Sequence, residues 1–207
     1  MSISTLFAQR SIIPVVVLDC VEDAVPLAHA LLEGGITSME ITLRTEAGLK
    51  AIAAVATAVP QMLVGVGTVM NPAQMQAAAD AGARFQMSPG FIESLADYAQ
   101  QHRIPWIPAV ATSSDVMRAV AAGFHHLKFF PAERLGGAEM LKQLAAVFRE
   151  VRFCPTGGVS LANMASYLAL PSVFAIGGSW LAPQALVAAG DWHGITRIAR
   201  ESQAALG

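Results

Sequence analysis

The sequence is poor in cysteine: Cys20 and Cys154 are the only two in 207 residues. So few thiols, so far apart, can form neither a disulfide framework nor a zinc site, and we expect two buried thiols in a reducing compartment. The five histidines are scattered and show no metal-ligand spacing of the His-Glu-x-x-His kind. The sequence therefore predicts no metal site.

An excess of charge and long hydrophobic runs are also lacking. Thirteen Lys and Arg stand against fifteen Asp and Glu, a net charge of −2, with no basic stripe to follow a phosphate backbone. The most apolar stretches, residues 12–18 and 62–66, are far shorter than the roughly 20 residues of a membrane helix. The N-terminus has no basic segment leading into a long apolar region. We expect a cytoplasmic protein with neither nucleic acid nor membrane as a partner.

Short β-rich runs alternate with helical stretches along the whole chain. About eight strand–helix units at a spacing of roughly 20 to 25 residues are typical of parallel βα architecture, and eight units close most economically into a barrel. The prediction is one domain, residues 1–207, folded as a single (β/α)8 TIM barrel; a doubly wound open sheet is the alternative. The predicted strands are residues 14–18, 38–42, 62–66, 85–88, 106–110, 126–130, 152–155 and 173–176, and the predicted helices are residues 23–33, 47–59, 72–81, 92–101, 114–122, 138–148 and 162–170, with one or two more helices in 180–206.

Lys128 lies in an apolar run, residues 126–131, that predicts a buried strand. Desolvation disfavours the charged form of a lysine, and a free amine is a nucleophile toward carbonyl carbon. Schiff-base chemistry is therefore the leading interpretation. The alternative is a structural lysine that reaches solvent or pairs with Glu133.

Glu40 lies within another predicted strand, where alternation places it on one face with Thr42, while Met39 and Ile41 lie on the other. A glutamate inside a strand is costly unless it is paired or functional, and Lys128 is the expected partner. A purely structural ion pair remains the alternative.

Polar and small residues follow the same strands at their carboxyl ends, where the active sites of such barrels lie. Arg44 has a guanidinium fork that suits a substrate carboxylate. Thr68 offers a hydroxyl after the glycines of residues 64–67, which would let backbone approach a ligand. Pro89 belongs to a rigid turn, residues 88–90, that leaves room beside a pocket.

Two glycine-rich turns, residues 155–160 and 176–180, follow the last two predicted strands. Loops at these positions commonly bind phosphate in this barrel class, because backbone N–H groups and a short helix N-terminus face the anion. The turns contribute Thr156, Gly157, Gly158, Gly178 and Ser179, and two tight structural turns are the alternative.

Taken together, the motifs resemble the family of 2-dehydro-3-deoxy-6-phosphogluconate (KDPG) and 4-hydroxy-2-oxoglutarate (KHG) aldolases. The resemblance covers nearly the whole chain, in order. It is carried by residues 40–45 (EITLRT), 65–69 (GVGTV), 88–90 (SPG), 128–133 (KFFPAE), 153–159 (FCPTGGV) and 176–180 (IGGSW).

The resemblance implies a class I aldolase of the Entner–Doudoroff pathway, commonly a homotrimer, that needs no cofactor. It would cleave the phosphorylated keto sugar acid to pyruvate and glyceraldehyde 3-phosphate, and members often also cleave KHG to pyruvate and glyoxylate. Lys128 would be the Schiff-base lysine and Glu40 the general acid/base. Arg44 and Thr68 would bind the pyruvate carboxylate, and Thr156, Gly157, Gly158 and Ser179 the phosphate.

Phe130 shares a strand face with Lys128 and would keep the amine dry, while Phe129 would pack outward. Residues 109–112 (AVAT) differ from the sequence typical of the family after strand five. This difference affects the shape of the pocket wall and, with it, the range of aldehydes that the pocket accepts. Three alternatives remain open: a 6-phosphogalactonate aldolase, which the chain resembles less; a sugar-phosphate isomerase without a covalent step; and a non-catalytic binding protein.

Overall fold

The computed structural model describes residues 2–206, in which strands and helices alternate as predicted. All strand pairs are parallel. The strands are β1 Ser11–Val16, β2 Ser38–Thr42, β3 Leu63–Gly67, β4 Gln86–Met87, β5 Trp106–Ile107, β6 Ala109–Val110, β7 His126–Phe129, β8 Arg152–Pro155 and β9 Ala175–Gly178. The α-helices are α1 Ile3–Leu6, α2 Ala24–Glu33, α3 Gly48–Ala58, α4 Pro72–Asp80, α5 Glu93–Gln101, α6 Ser113–Ala121, α7 Gly137–Val147, α8 Met164–Leu168, α9 Gln184–Ala188 and α10 Trp192–Leu206, and a 3₁₀ turn covers Glu133–Leu135.

The prediction of a closed eight-stranded (β/α)8 barrel is wrong. The strands form a six-stranded sheet in the order β5-β4-β3-β2-β1-β9 and a separate three-stranded sheet in the order β6-β7-β8. The first interruption falls at Pro108, which splits the predicted strand 106–110 into β5 and β6. Because proline has no N–H, it cannot donate to a ladder.

The second interruption lies between β8 and β9, which are joined only by isolated bridges. Phe153 pairs with Val173, and Thr156 pairs with Gly177. Between these two bridges the chain advances three residues on the β8 side and four residues on the β9 side. One extra residue shifts the register, as in a β-bulge, and prevents a continuous ladder.

The two sheets nevertheless share one apolar interior. Side chains from both sheets pack together there, and α1, which the sequence pattern did not predict, contributes Ile3 and its C-terminal neighbour Phe7. A larger cluster lies between strands and helices and contains Met39 and Ile41. The predicted alternation along β2 is thus confirmed, since Glu40 does not share that outer face.

Several helices begin or end at residues whose types favour helix capping. The Asn71 side chain accepts a hydrogen bond from the N–H of Gln74 at 2.9 Å, which caps α4. Gly35, Gly82 and Gly123 follow their helices with positive φ, the conformation that glycine adopts without strain. Among residues 2–206, no helix has the length and apolar character needed to cross a membrane.

Candidate active site

A cavity of about 260 Å³ opens at the carboxyl ends of the strands of both sheets. It brings together Lys128 and every residue that the sequence predicted for substrate binding. Sequence analysis missed two apolar wall residues, Val15 and Val159. Val15 could have been found from register, since it pairs with Glu40 across β1 and β2. The predicted residues that line the cavity are Arg44, Thr68, Pro89, Phe130, Thr156, Gly157, Gly158, Gly178 and Ser179.

Lys128 and Glu40 form a buried ion pair beside this cavity. The Nζ atom of Lys128 donates to Oε1 of Glu40 at 2.9 Å and to Oε2 at 3.2 Å. The two side chains are only 7% and 1% exposed, respectively. The partner predicted for Lys128 is therefore confirmed, and Glu133 is not that partner. Glu40 is the nearest group that can take a proton from this amine.

Glycines on the inner faces of the strands create the space for these side chains. A Cβ atom at Gly67 would lie 2.0 Å from Oε1 of Glu40, and one at Gly65 would lie 2.4 Å from the Phe85 ring. The sequence suggested that these glycines admit a ligand to the backbone. In the structure these glycines instead make room for the carboxylate of Glu40 and for the ring of Phe85.

The surroundings of the amine are largely apolar. The Nζ atom of Lys128 lies 5.6 Å from the centroid of the Phe130 ring, while Phe129 is buried among the residues that face the helices. Cys154 is fully buried opposite Lys128 in the β7–β8 register, and burial raises the pKa of its thiol to about 12. Cys154 is therefore a neutral, unreactive neighbour of the ion pair. The expectation that both thiols are buried is wrong for Cys20, which is exposed.

The rim near β2 and β3 holds the groups predicted to bind a carboxylate. Arg44 is exposed at the cavity and forms no ion pair with any residue in 2–206. Thr68 has a φ of 64°, an unusual value for a β-branched residue that costs on the order of 1–3 kcal/mol. Such strained positions occur preferentially at functional sites.

The opposite rim is formed by the two glycine-rich turns. Gly157 and Gly158 have φ values of 95° and 80°, a conformation that strongly favours glycine. Within the described part of the chain, the backbone N–H groups of Gly158, Val159 and Ser179 donate to no other group. All three residues line the cavity, so this rim presents free donors suited to an anion.

No group of three or more His, Cys, Asp or Glu side chains in the described residues could hold a metal ion. His126, which shares strand parity with Lys128, packs its ring against Phe174 at 5.1 Å between centroids. Burial lowers the pKa of His126. The ring of His126 thus packs against an interior aromatic residue, and His126 does not line the cavity.

The sequence model of the KDPG and KHG aldolase family matches residues 3–198. The KHG/KDPG aldolase of Escherichia coli K12 is 47% identical over 201 residues, which is 97% of this chain and 94% of that protein. A KDPG aldolase of Legionella pneumophila, with pyruvate captured at low pH as a covalent carbinolamine intermediate, has a TM-score of 0.92 at 43% identity, covering 95% of this chain and 96% of that one.

A native KDPGal structure is less similar, at 25% identity and a TM-score of 0.83, with 94% of this chain and 93% of that one covered. The lower identity and TM-score agree with the weaker resemblance of the sequence motifs to the 6-phosphogalactonate enzymes. The matched family model spans almost the entire chain and includes Lys128, Glu40 and both glycine-rich turns. The chain belongs to the KDPG and KHG aldolase family.

Proposed function

We propose that the protein is a class I aldolase that cleaves 2-dehydro-3-deoxy-6-phosphogluconate to pyruvate and glyceraldehyde 3-phosphate through an imine on Lys128. The observation that carries the proposal is the buried Lys128–Glu40 pair, with 2.9 Å between Nζ and Oε1, beside a cavity that ends in a rim of free N–H donors. A nucleophile, a proton acceptor and an anion site are thus available to one substrate.

The first stage forms the imine. Lys128 gives a proton to Glu40, and the free amine attacks the C2 ketone of the substrate to give a carbinolamine. Glu40 returns the proton to the C2 oxygen, which leaves as water, and a protonated imine remains. Because the cationic imine attracts electrons, it is a sink for the carbon–carbon cleavage that follows.

The second stage breaks the bond between C3 and C4. A base takes the proton of the C4 hydroxyl, the aldehyde leaves, and the electron pair of the broken bond forms an enamine on C3. Glu40 is the acid/base nearest to the amine and serves this step, directly or through a water. Protonation of C3 and addition of water to the imine then release pyruvate and free Lys128.

The two rims orient the substrate along the cavity. Arg44 and Thr68 bind the C1 carboxylate, while the turns that contain Thr156, Gly158 and Ser179 bind the phosphate at the other end. This assignment aligns the C2 ketone with the amine between them. A substrate bound at both ends reacts in a fixed geometry, which lowers the entropic part of the barrier.

A second substrate follows from the same cavity. KHG carries a carboxylate where the sugar acid carries its phosphate-bearing chain, and the Escherichia coli relative is named for both substrates. We propose that this protein also cleaves KHG to pyruvate and glyoxylate. The ketone and the C4 hydroxyl of KHG would have the same position relative to Lys128 as those of the sugar acid.

Borohydride reduction in the presence of pyruvate tests the covalent step. We expect a single stable adduct by intact mass, mapped to Lys128 by peptide sequencing, and no adduct in Lys128→Ala. Cleavage of the sugar acid is followed in parallel by coupled detection of pyruvate. A folded wild-type protein that forms no adduct in excess pyruvate would contradict the imine mechanism and favour a sugar-phosphate isomerase or a binding protein.

The proposal extends to the whole molecule: one domain over residues 1–207, assembled as a homotrimer in the cytoplasm, as the family resemblance implies. Sedimentation equilibrium tests the assembly, with an expected mass three times the 21.7 kDa of the chain. A concentration-independent mass of one chain would contradict it.

A further inference from the structure

The turn at the phosphate end is held in place by residues that do not line the cavity. The N–H of Ala132 donates to the carbonyl of Thr156 at 2.8 Å, and the N–H of Glu133 donates to the carbonyl of Gly157 at 3.0 Å. A Cβ atom at Gly158 would lie 2.6 Å from Cβ of Glu133. The Glu133 side chain therefore packs directly against the turn whose N–H groups face the cavity.

The Glu133 carboxylate is itself held by a hydrogen bond from α8. Tyr167, on α8, is fully buried, and its hydroxyl donates a hydrogen bond to Oε1 of Glu133. Burial and the neighbouring Glu133 both raise the pKa of Tyr167, so its phenol stays a donor throughout the neutral range. Gly137 has no side chain where this pair meets, and a Cβ there would lie 3.3 Å from the carboxylate oxygen.

This anchor has an electrostatic consequence. Glu133 is exposed, and an unrestrained carboxylate beside Gly158 could swing toward a bound phosphate and repel it. The bond from Tyr167 satisfies the carboxylate and holds it on the α8 side. Asn163 supports the turn from the other direction, because its Nδ2 atom donates to the carbonyl of Gly158 at 3.1 Å.

We propose that Tyr167 and Glu133 are positioning residues that select phosphorylated substrates by fixing the Gly157–Gly158 turn. Neither touches the reacting atoms, and both act through the glycine-rich turn rather than on Lys128. The inference rests on the proposed function, and it predicts a defect confined to substrates that carry a phosphate.

The test compares two substrates in one variant. Tyr167→Phe removes only the donor, so KM for the phosphorylated sugar acid should rise about tenfold, while kcat on it and both constants on KHG stay within about twofold. Tyr98→Phe is the matched control. The Tyr98 hydroxyl donates to Oε1 of Gln76 at 2.7 Å, outside the residues that line the cavity, so neither substrate should be affected.

Glu133 gives a second pair of variants at an exposed position. Glu133→Gln keeps an acceptor for Tyr167 and should keep KM for the phosphorylated substrate within about twofold of wild type or below it. Glu133→Ala removes the Cγ atom that packs against Gly158 and the link to Tyr167, so KM should rise, but by less than in Tyr167→Phe, because no carboxylate is left to repel the phosphate. Equal losses on both substrates, or a Tyr167→Phe enzyme with wild-type KM for the phosphorylated one, would overturn the inference.

A binding measurement separates this inference from the proposed function. Titration with inorganic phosphate, followed by phosphorus NMR, should show binding about tenfold weaker in Tyr167→Phe than in wild type or Tyr98→Phe. If the wild type cleaves neither substrate, the proposed function fails, but the phosphate titration still decides the role of Tyr167. A wild-type protein that binds no phosphate would overturn the inference.

Discussion

Two ion pairs of this protein have the same chemistry and opposite surroundings. Lys128 and Glu40 come from strands of different sheets, lie 2.9 Å apart and are 7% and 1% exposed. Arg200 and Glu33 connect α10 and α2 at 3.5 Å and are 65% and 63% exposed. Solvent screens the surface pair, so it contributes little to stability, whereas the buried pair must overcome the cost of removing two charges from water.

The difference indicates why each pair exists. A buried pair is often no more stabilising than apolar residues of the same volume, so its presence in an interior is weak evidence for a stabilising role. In this protein it stands beside a cavity with anion-binding features at both ends. A role in the reaction best explains the buried pair. The surface pair has neither a role in the reaction nor a large effect on stability.

Replacing only the acid of the buried pair should have the largest effect among variants that keep Lys128. Glu40→Gln keeps the size of the side chain and an acceptor for Lys128 but removes the proposed general acid/base. We expect kcat to fall by roughly 10² to 10⁴. Steady-state assays of pyruvate release measure the change, and an unchanged kcat would make Glu40 a structural partner of Lys128.

The same pair distinguishes stability from function when both charges are replaced. Lys128→Met leaves Glu40 buried without a partner and should lower the free energy of unfolding by about 3–5 kcal/mol. The double variant Lys128→Met with Glu40→Leu should be inactive yet as stable as wild type, or more stable by about 1–4 kcal/mol. Urea denaturation compares the three proteins. A double variant clearly less stable than wild type would show that the pair stabilises the fold.

A smaller effect is expected when the pair is displaced rather than removed. Gly67→Ala puts a methyl group where Oε1 of Glu40 lies, so the carboxylate must move from its position against Lys128. We expect kcat to fall about tenfold to 10²-fold, because such displacements of catalytic groups have effects of this order.

Gly90→Ala is the matched control for Gly67→Ala, since a Cβ there meets no atom within 4 Å. It lies in the turn next to Pro89 but should leave kcat near the wild-type value. If both alanine variants behave alike, crowding of Glu40 is not the cause.

The surface pair should respond least. Arg200→Ala is expected to change the free energy of unfolding by less than about 1 kcal/mol and to leave both kinetic constants unchanged. Thermal unfolding and the same pyruvate assay test this. A loss comparable with that of Lys128→Met would mean that exposure does not distinguish the two pairs.

The sequence predicted the buried pair and the cavity lining because both depend on strand parity. Two-residue alternation along β2 and β7 turns Glu40 and Lys128 inward, and parallel strands carry their following turns to one edge. The order and approximate bounds of most elements could be inferred for the same reason. Parity is local information, so a single sequence suffices for it.

Closure of the sheet could not be predicted in this way. It depends on hydrogen bonds that Pro108 cannot donate and on a one-residue shift of register between β8 and β9. The contact of Tyr167 with Glu133 was also missed, because the two residues are 34 positions apart and neither lies in a periodic pattern that points to the other. Long-range register and packing decide these features.

Gly65, Gly67 and Gly177 each leave out a side chain that would collide with Phe85, Glu40 or Thr156, at distances of 2.4, 2.0 and 2.2 Å for the added Cβ. Alanine scanning locates function by deleting atoms, and at these three positions there is nothing to delete. A library that contains only truncations would test Glu40 but not Gly67, the residue that makes room for it. Mapping this site by mutagenesis therefore requires a scan in which atoms are added.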